Sequence, residues 1–310
     1  MTEQPRLVFT GNVVADLVLG IDALPEPGGD TIAGTTLVTA GGGLTVMLAA
    51  ERDGLPVVFA GQYGTGPFGT VVRAALASSG VEIVSAGLDD VDSGFSVVLV
   101  DGTAERTFVT SVGAEGRLTR ADLDRVPVAP DDLVFVSGYS LAHPANAAAL
   151  PGWLDGLPAG VRVIVDPSPL ADELDGDLLD RVLARTDLLT ANARETRILT
   201  GTGNLPAAAT SLRARIRPTG AVVVRDAANG CWITDQVSAP PVHVPGFAVD
   251  AVDSTGAGDT HGGVLAAALS RGDDLAAAAR RANAAAAIAV TRRGPATAPT
   301  ATEIDALLAR

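Results

Sequence analysis

The segment Asp253-Ser254-Thr255-Gly256-Ala257-Gly258-Asp259 is where side-chain types and spacing point most directly to chemistry. It lies between a β-rich approach, residues 249–252, and an uninterrupted helical pattern from Thr260. Two glycines and an alanine at a helix start leave the backbone N–H groups unobstructed, and the helix dipole adds positive potential. That combination makes an anion-binding nest. Asp259 falls in the first turn, at the mouth of the nest, where a carboxylate is costly unless it has a task. A general base fits: it removes a proton from a hydroxyl while the nest holds the phosphoryl group under attack. The structural alternative makes Asp259 an N-terminal helix cap and the glycines a turn.

Composition narrows what such a site can use. The chain has 310 residues, 47% hydrophobic and 19% charged, enough for a sizeable core and too apolar for disorder. The formal net charge of −14 leaves no basic face for a nucleic-acid backbone. All 22 basic residues are arginine. Chemistry that needs a P-loop lysine, a Schiff-base lysine or an SxxK nucleophile is therefore excluded. Phosphate must be handled by backbone N–H groups, arginine and a metal. One cysteine, Cys231, excludes a disulfide framework and a cysteine-based zinc site. The histidines, His143, His243 and His261, are scattered. No signal peptide is read in the polar opening, residues 1–6, and the Ala-rich run 282–290 is too short to span a bilayer. A cytoplasmic protein with no membrane contact is expected.

The elements that must position the nest read as follows. Residues 7–10 and 13–21 are β-rich, with Asp16 interrupting the second run, and 31–39 alternates in the β manner. Helices are expected over 44–52 and 70–79, with a strand over 57–60 between them. From residue 130 onward strands alternate with helices: strands 133–137, 161–166, 188–191 and 221–225, helices 145–154, 178–184 and 194–200. Two Ala-rich helices, 260–270 and 275–291, follow. The fold class is α/β, a mostly parallel central sheet with helices on both faces. Segments 16–21, 31–39, 95–100 and 106–110 break that rhythm and read as half-polar hairpin strands. They form a small β-sheet lid inserted from about 13–39 and 95–110 into a single domain covering 1–310.

The order of motifs resembles the ribokinase-like (PfkB) family of carbohydrate kinases over nearly the whole chain. Gly11-Asn12 with Asp16, then residues 25–28, resemble its opening strand and sugar-contacting aspartate. Gly41-Gly42-Gly43 resembles the first signature. Asp101-Gly102 with Glu105-Arg106-Thr107 resembles the lid strand. Asn192-Ala193-Arg194-Glu195 resembles the Asn-x-x-Glu motif, residues 253–259 the second signature, and 284–299 the closing helix and loop.

The resemblance implies a three-layer ribokinase-like fold that transfers a phosphoryl group from ATP to a hydroxyl, a primary CH2OH, of a small sugar or sugar-like substrate. Asp259 would be the base, with Gly256, Ala257 and Gly258 as the anion hole. Asn192 and Glu195 would organise Mg2+ and the nucleotide phosphates, Glu195 through water. Asp16 and the backbone of Gly41, Gly42 and Gly43 would hold sugar hydroxyls. Asp253 and Thr255, with carbonyls near residues 290–294, stand where many relatives bind a monovalent cation such as K+. Arg225, at a strand end, and Arg106, on the lid, are the candidate cations for phosphate or substrate. Asn283 is the candidate at the adenine, or else a packing amide. A homodimer through the lids is expected, because a lid sheet leaves an edge and an apolar face to cover.

Two positions depart from the family pattern. An asparagine usually follows the paired glycines of the first signature; here Thr45 stands nearest, and one hydroxyl cannot reproduce an amide's separate donor and acceptor. In Gly64-Thr65-Gly66-Pro67-Phe68-Gly69 the usual aspartate after the first glycine is missing. That stretch also matches GxGxxG, but Pro67 fits a dinucleotide turn poorly.

Asp166-Pro167-Ser168-Pro169 ends a strand where open α/β sheets bind ligands, and reads equally as a rigid turn. Tyr139 ends another strand on the same edge and is a candidate substrate contact. His143 reads as a loop residue, and His261, Cys231 and Trp232 as packing. Three rival functions remain. A nucleoside kinase would want a lid aromatic, and only Phe95 and Phe108 are present. A hydroxymethylpyrimidine kinase usually lacks a developed lid. A non-catalytic sugar-binding regulator would be free to lose Asp259.

Overall fold

The computed structural model describes residues 4–103, 105–294 and 296–310. The first three residues of the polar opening lie outside the described residues, as do Ala104, in the lid segment, and Pro295, in the closing loop.

Thirteen strands form two sheets among the described residues. They are β1 (Leu7–Phe9), β2 (Val13–Gly20), β3 (Thr35–Gly42), β4 (Val57–Phe59), β5 (Glu82–Ile83), β6 (Phe95–Val100), β7 (Arg106–Ser111), β8 (Leu133–Ser137), β9 (Arg162–Asp166), β10 (Leu188–Asn192), β11 (Ala221–Arg225), β12 (Gly230–Thr234) and β13 (Val242–Pro245). The nine-stranded sheet runs β13-β12-β11-β10-β9-β8-β1-β4-β5. From β5 to β11 every pairing is parallel, and β12 and β13 close one edge antiparallel.

Strand periodicity divides the core. Leu7, Phe9, Phe59, Phe135, Ile164 and Val223 face one layer, together with apolar residues of the helices Leu44–Arg52, Pro67–Ala77, Ala257–Ser270, Leu275–Ala289 and Ala301–Leu308. Val8, Val58, Val134, Val136, Val163 and Val222 face the other, against the helices Pro144–Asp155, Gly176–Ala184 and Leu205–Arg213. Side chains alternate across a strand, so near-continuous apolar runs supply both faces at once. Phe9, Phe59 and Phe135 are at most 2% exposed, and each such burial stabilises by roughly 1.5–3 kcal/mol.

The second sheet, the one expected as a lid, is ordered β3-β2-β6-β7, with β2 and β6 parallel and the outer pairs antiparallel. Two expectations change here. β2 runs unbroken through Asp16, which pairs with Thr39 and Ser96. β3 is shifted toward the glycines: residues 31–34 lie outside it, while Gly41 and Gly42 pair with Val14 and Val13. The first two glycines of that signature therefore end a lid strand, and helix Leu44–Arg52 starts immediately after Gly43.

The root of the second lid hairpin is pinned by a carboxylate that the motif reading passed over. Glu115 is 2% exposed and accepts the N–H of Gly94, just before β6, at 2.7 Å and that of Gly113, just after β7, at 2.8 Å. One side chain thus holds both legs of the hairpin. Asp92 does a comparable task beside it, accepting the N–H groups of Phe68 (3.1 Å) and Gly69 (2.6 Å) at the start of helix Pro67–Ala77. The GxGxxG match is accordingly a helix start whose free N–H groups are already met by a carboxylate, and a phosphate has no place there.

Candidate active site

The nest begins in irregular backbone. Residues 249–252 form no strand; the N–H groups of Val252 and Asp253 both donate to the Val290 carbonyl, at 2.7 and 3.0 Å. Asp253 then organises the turn. Its Oδ1 accepts the Thr255 N–H at 2.8 Å and its Oδ2 the Gly294 N–H at 3.0 Å. Gly256 follows in the left-handed region, with φ of 72°, which a residue bearing Cβ adopts only under strain. That residue turns the chain into helix Ala257–Ser270.

At the helix start the Ala257 N–H donates to the Ser254 carbonyl at 3.3 Å. Those of Gly258 and Asp259 meet no acceptor among the described residues, as expected of a helix N-terminus awaiting an anion. The cap of this helix is Gly256, and no side chain bonds to it. Asp259 therefore sits in the first turn without being its cap.

Three neighbouring parallel strands deliver the polar groups that face this helix. β9 ends in Asp166, β10 in Asn192 and β11 in Arg225. The guanidinium of Arg225 donates to Asp166 Oδ2 (2.9 Å), Thr190 Oγ1 (3.1 Å) and Glu195 Oε2 (3.4 Å). It also flanks the nest, since a Cβ on Gly258 would lie 3.5 Å from its Cζ. Asn192 and Glu195 form a reciprocal capping box on helix Ala193–Thr200: Asn192 Oδ1 accepts the Glu195 N–H at 2.9 Å, and Glu195 Oε2 accepts the Asn192 N–H at 2.8 Å. Asn192 Nδ2 donates to Glu195 Oε1 at 2.6 Å. Both oxygens of this buried carboxylate are thus engaged.

The clustering of charge sets the protonation of the site. The Asp259 carboxyl is pushed up to about 7, by burial first and then by the negative charge of Asp166, Glu195 and Asp16, with Arg225 opposing. Burial and Asp166 also raise Glu195 against the pull of Arg225. Burial raises Asp16 to about 6. Burial opposes the charge of Arg225, and the carboxylates around it outweigh that and hold it more firmly protonated. Tyr139, 45% exposed at the turn after β8, has its hydroxyl pushed up to about 12 by partial burial and by Asp259, Glu195, Asp166 and Asp16. One tyrosine feels four carboxylates, so the residues from the central sheet and from the lid converge on one cleft.

On the lid side, Asp16 shares a face of β2 and β3 with Gly41. A Cβ on Gly41 would fall 1.9 Å from Asp16 Oδ2, so only glycine leaves room for that carboxylate. The Gly43 N–H donates to the Asn12 carbonyl at 2.8 Å, closing the turn below them. Thr45 is 1% exposed in the first turn of helix Leu44–Arg52. His143 begins helix Pro144–Asp155 and bonds Asn12 Nδ2 through Nε2 at 2.9 Å.

Two expectations meet a different geometry. Asn283 is buried, with Oδ1 on His261 Nε2 (3.2 Å) and Nδ2 on the carbonyls of Val244 (3.1 Å) and Pro245 (3.2 Å). Its whole amide is used to tie β13 to two helices, which is the packing alternative of the two sequence readings. Arg106 pairs with Asp253 at 2.5 Å. Burial would raise the Asp253 carboxyl, but the donors from Gly294 and Thr255 and the charge of Arg106 hold it below its ordinary value. Asp166, legible only as one of two readings of a strand-end turn, stands in the centre of the site. Glu115 and Asp92 carry no motif, and no sequence signal singled them out.

Among the described residues no group of three His, Cys, Asp or Glu side chains is arranged to hold a metal ion. A divalent ion carried on phosphates and waters, in the manner of Mg2+, would meet Glu195, whose oxygens are already bonded, through water. No described helix is long and apolar enough to cross a membrane.

The sequence pattern described as "pfkB family carbohydrate kinase" matches residues 4–302. An uncharacterized sugar kinase of Escherichia coli K12, YegV, is 31% identical over 307 residues, which cover 98% of this chain and 94% of that protein. An ATP-dependent ribose-1-phosphate kinase of Halopiger xanaduensis is also 31% identical, over 309 residues and 98% of each. Among solved structures, a putative ribokinase II of E. coli in complex with ATP and Mg2+ has a TM-score of 0.83 at 24% identity, covering 98% of this chain and 99% of that one. Arabidopsis thaliana ribokinase complexed with ribose and ATP has a TM-score of 0.80 at 24% identity over 99% of both chains. At those identities the structures establish the fold, which is ribokinase-like. The family match spans both sheets and the loop that starts the Asp259 helix: this chain belongs to the pfkB family of carbohydrate kinases, which are phosphotransferases.

Proposed function

We propose that the protein uses ATP to phosphorylate a primary hydroxyl of a small uncharged sugar or polyol, with Asp259 as the general base. The observation that carries this reading is the placement of Asp259 in the first turn of a helix where the Gly258 and Asp259 N–H groups meet no acceptor among the described residues, with its carboxyl pushed up to about 7. A base poised near neutral pH is ionised often enough to accept a proton and basic enough to hold it.

Asp16 and the Gly41–Gly43 backbone hold the sugar hydroxyls, and Thr45 and Tyr139 border them. Asp259 takes the proton from the acceptor hydroxyl as its oxygen bonds to the γ-phosphorus. The bond from that phosphorus to the bridging oxygen breaks, and the electron pair leaves with ADP. The N–H groups of the Gly256–Gly258 nest stabilise the oxygens of the phosphoryl group in flight. Arg225, fixed by Asp166 and Glu195, presents positive charge beside them, and Asn192 and Glu195 border the nucleotide phosphates. Mg2+, when bound with ATP, neutralises phosphate charge. The lid covers the sugar and excludes water that would otherwise hydrolyse ATP.

The preference for an uncharged substrate follows from charge. Asp16, Asp166, Glu195 and Asp259 all act on the cleft, Arg225 is the cation among them, and Arg106 is tied to Asp253. A substrate phosphate or carboxylate on the lid side would meet net negative potential. A homodimer through the lids belongs to the same reading, supported by exposed apolar side chains on the lid sheet: Leu37, Val38, Phe108 and Val109.

The test is coupled ADP release with ATP and Mg2+ across neutral sugars, polyols, sugar acids, sugar phosphates and nucleosides. Turnover with a neutral member supports the reading. Turnover only with an anionic member overturns the substrate class, and tight sugar binding in calorimetry with no turnover makes the protein a sugar-binding regulator.

A further inference from the structure

The second lid hairpin is fastened at both ends. Glu115 pins its root at Gly94 and Gly113. At its tip Asp101 Oδ1 accepts the N–H groups of Thr103 (2.8 Å) and Glu105 (3.1 Å), and the Gly102 N–H donates to the Asp22 carbonyl at 3.2 Å. Arg106 opens β7 at that tip and crosses to Asp253. Asp253 lies three residues before the residue that turns the chain into the nest, on the opposite wall of the cleft.

The acceptors of Asp253 are nearly full. A carboxylate offers about four lone-pair directions. Oδ1 takes Arg106 Nη2 and the Thr255 N–H, and Oδ2 takes the Gly294 N–H. Those contacts are donors, where a cation needs lone pairs, and one of them is itself a cation. The pair is mostly shielded, with side chains 23% and 12% exposed, so a second positive ion against Asp253 would meet the guanidinium at close range in a medium that screens weakly. The Asp253 carboxylate, ringed by these donors, is therefore a poor ligand for a bound monovalent cation while Arg106 is in place.

We propose that Arg106 is a positioning residue that latches the closed lid to Asp253 and supplies, from within the chain, the positive charge that orders the loop leading into the anion nest, so that turnover needs no monovalent cation. Lid closure and nest formation become one event. The hairpin tip is seated only when Asp253 is oriented, and Asp253 orients the turn at Thr255 that precedes Gly256. The inference rests on the kinase reading for its effect on turnover but not for the latch itself.

Two measurements test it. With a sugar that the wild type phosphorylates, kcat is compared in potassium chloride and in tetramethylammonium chloride. The wild type is expected to agree between them within about twofold, while Arg106→Gln loses about tenfold or more in tetramethylammonium. Potassium, or the Arg106→Lys substitution, is expected to restore much of that loss, which a merely structural role would not permit. A large loss in the wild type without potassium overturns the proposal. So does an Arg106→Gln variant that equals the wild type, or one whose loss neither potassium nor lysine repairs. The second measurement is amide hydrogen exchange without substrate. In Arg106→Gln the amides of residues 106–111, Thr255 and Gly294 are expected to exchange about tenfold faster or more, with the central sheet unchanged. Unchanged exchange at both walls removes the latch, even if no sugar is ever phosphorylated and the kinase reading itself has failed.

Discussion

Arg225 and Asp166 stand on strands that are not neighbours, β11 and β9, and their side chains meet at 2.9 Å across the end of β10. The pair spans the sheet edge on which Asn192 and Glu195 lie, so one guanidinium offsets two carboxylates beside a helix that carries a third. Replacing Arg225 by Gln removes that offset. The rising limb of kcat/KM is expected to move to higher pH, because the Asp259 carboxyl loses the charge that opposes its protonation. At pH 7 kcat/KM is expected to fall by about tenfold or more. An unchanged limb would show that Arg225 is not felt at the base.

Asp259→Asn is expected to lower kcat by about 10²–10⁴-fold while ATP binding persists in calorimetry. The same variant reports on stability with a definite sign. The Asp259 carboxyl goes from its ordinary 3.8 to about 7 on folding, so between those values the folded chain keeps a proton the unfolded chain has released, and stability falls as pH rises through that window. The asparagine variant escapes that loss. It is expected to melt above the wild type at about pH 8, with the gap closing below about pH 4. A thermal melt at both values checks it.

Gly41→Ala puts a Cβ where Asp16 Oδ2 now lies, 1.9 Å away. The carboxylate must swing out of the cleft. The sugar KM is expected to rise by about tenfold or more, with the KM for ATP little changed. An equal rise in both constants would mean a distorted fold and not a displaced sugar contact.

Glu115→Gln keeps one acceptor oxygen for the N–H groups of Gly94 and Gly113 and turns an NH2 toward the other. The expected cost is about 1–3 kcal/mol, read from the denaturation midpoint. Hydrogen exchange should locate the loosening in residues 94–113, while the central sheet keeps its protection.

Much of this architecture was legible because buried parallel strands and amphipathic helices write distinct patterns. The strand over 221–225 is observed with those bounds, and the expected alternation after residue 130 holds. The failures have local causes. Gly41 and Gly42 resemble a helix opening, yet they end β3, because pairing with β2 overrides the weak intrinsic preference of glycine. Residues 249–252 are β-prone and find no strand to pair with, so they remain irregular. β5 and β13 are two and four residues long and leave little periodicity to read, and the pattern does not single out the helices Leu205–Arg213 and Ala301–Leu308. In the site, Asp259 with its nest and Asn192 with Glu195 carry their spacing in the sequence. Arg106 and Asp253 were each singled out, but their pairing across 147 residues leaves no local trace. Glu115 acts through backbone N–H groups, which any residue supplies, so its role is invisible before the hairpin is folded.

The central claim is phosphoryl transfer from ATP to a sugar hydroxyl with Asp259 as base. It is tested most directly by following ADP and phosphorylated sugar together, in wild type and Asp259→Asn, with saturating ATP and Mg2+. The account predicts equal amounts of the two products in the wild type, a rate that rises with pH through about 7, and near-complete loss of both in the variant. Sugar phosphorylation by Asp259→Asn at the wild-type rate would contradict it.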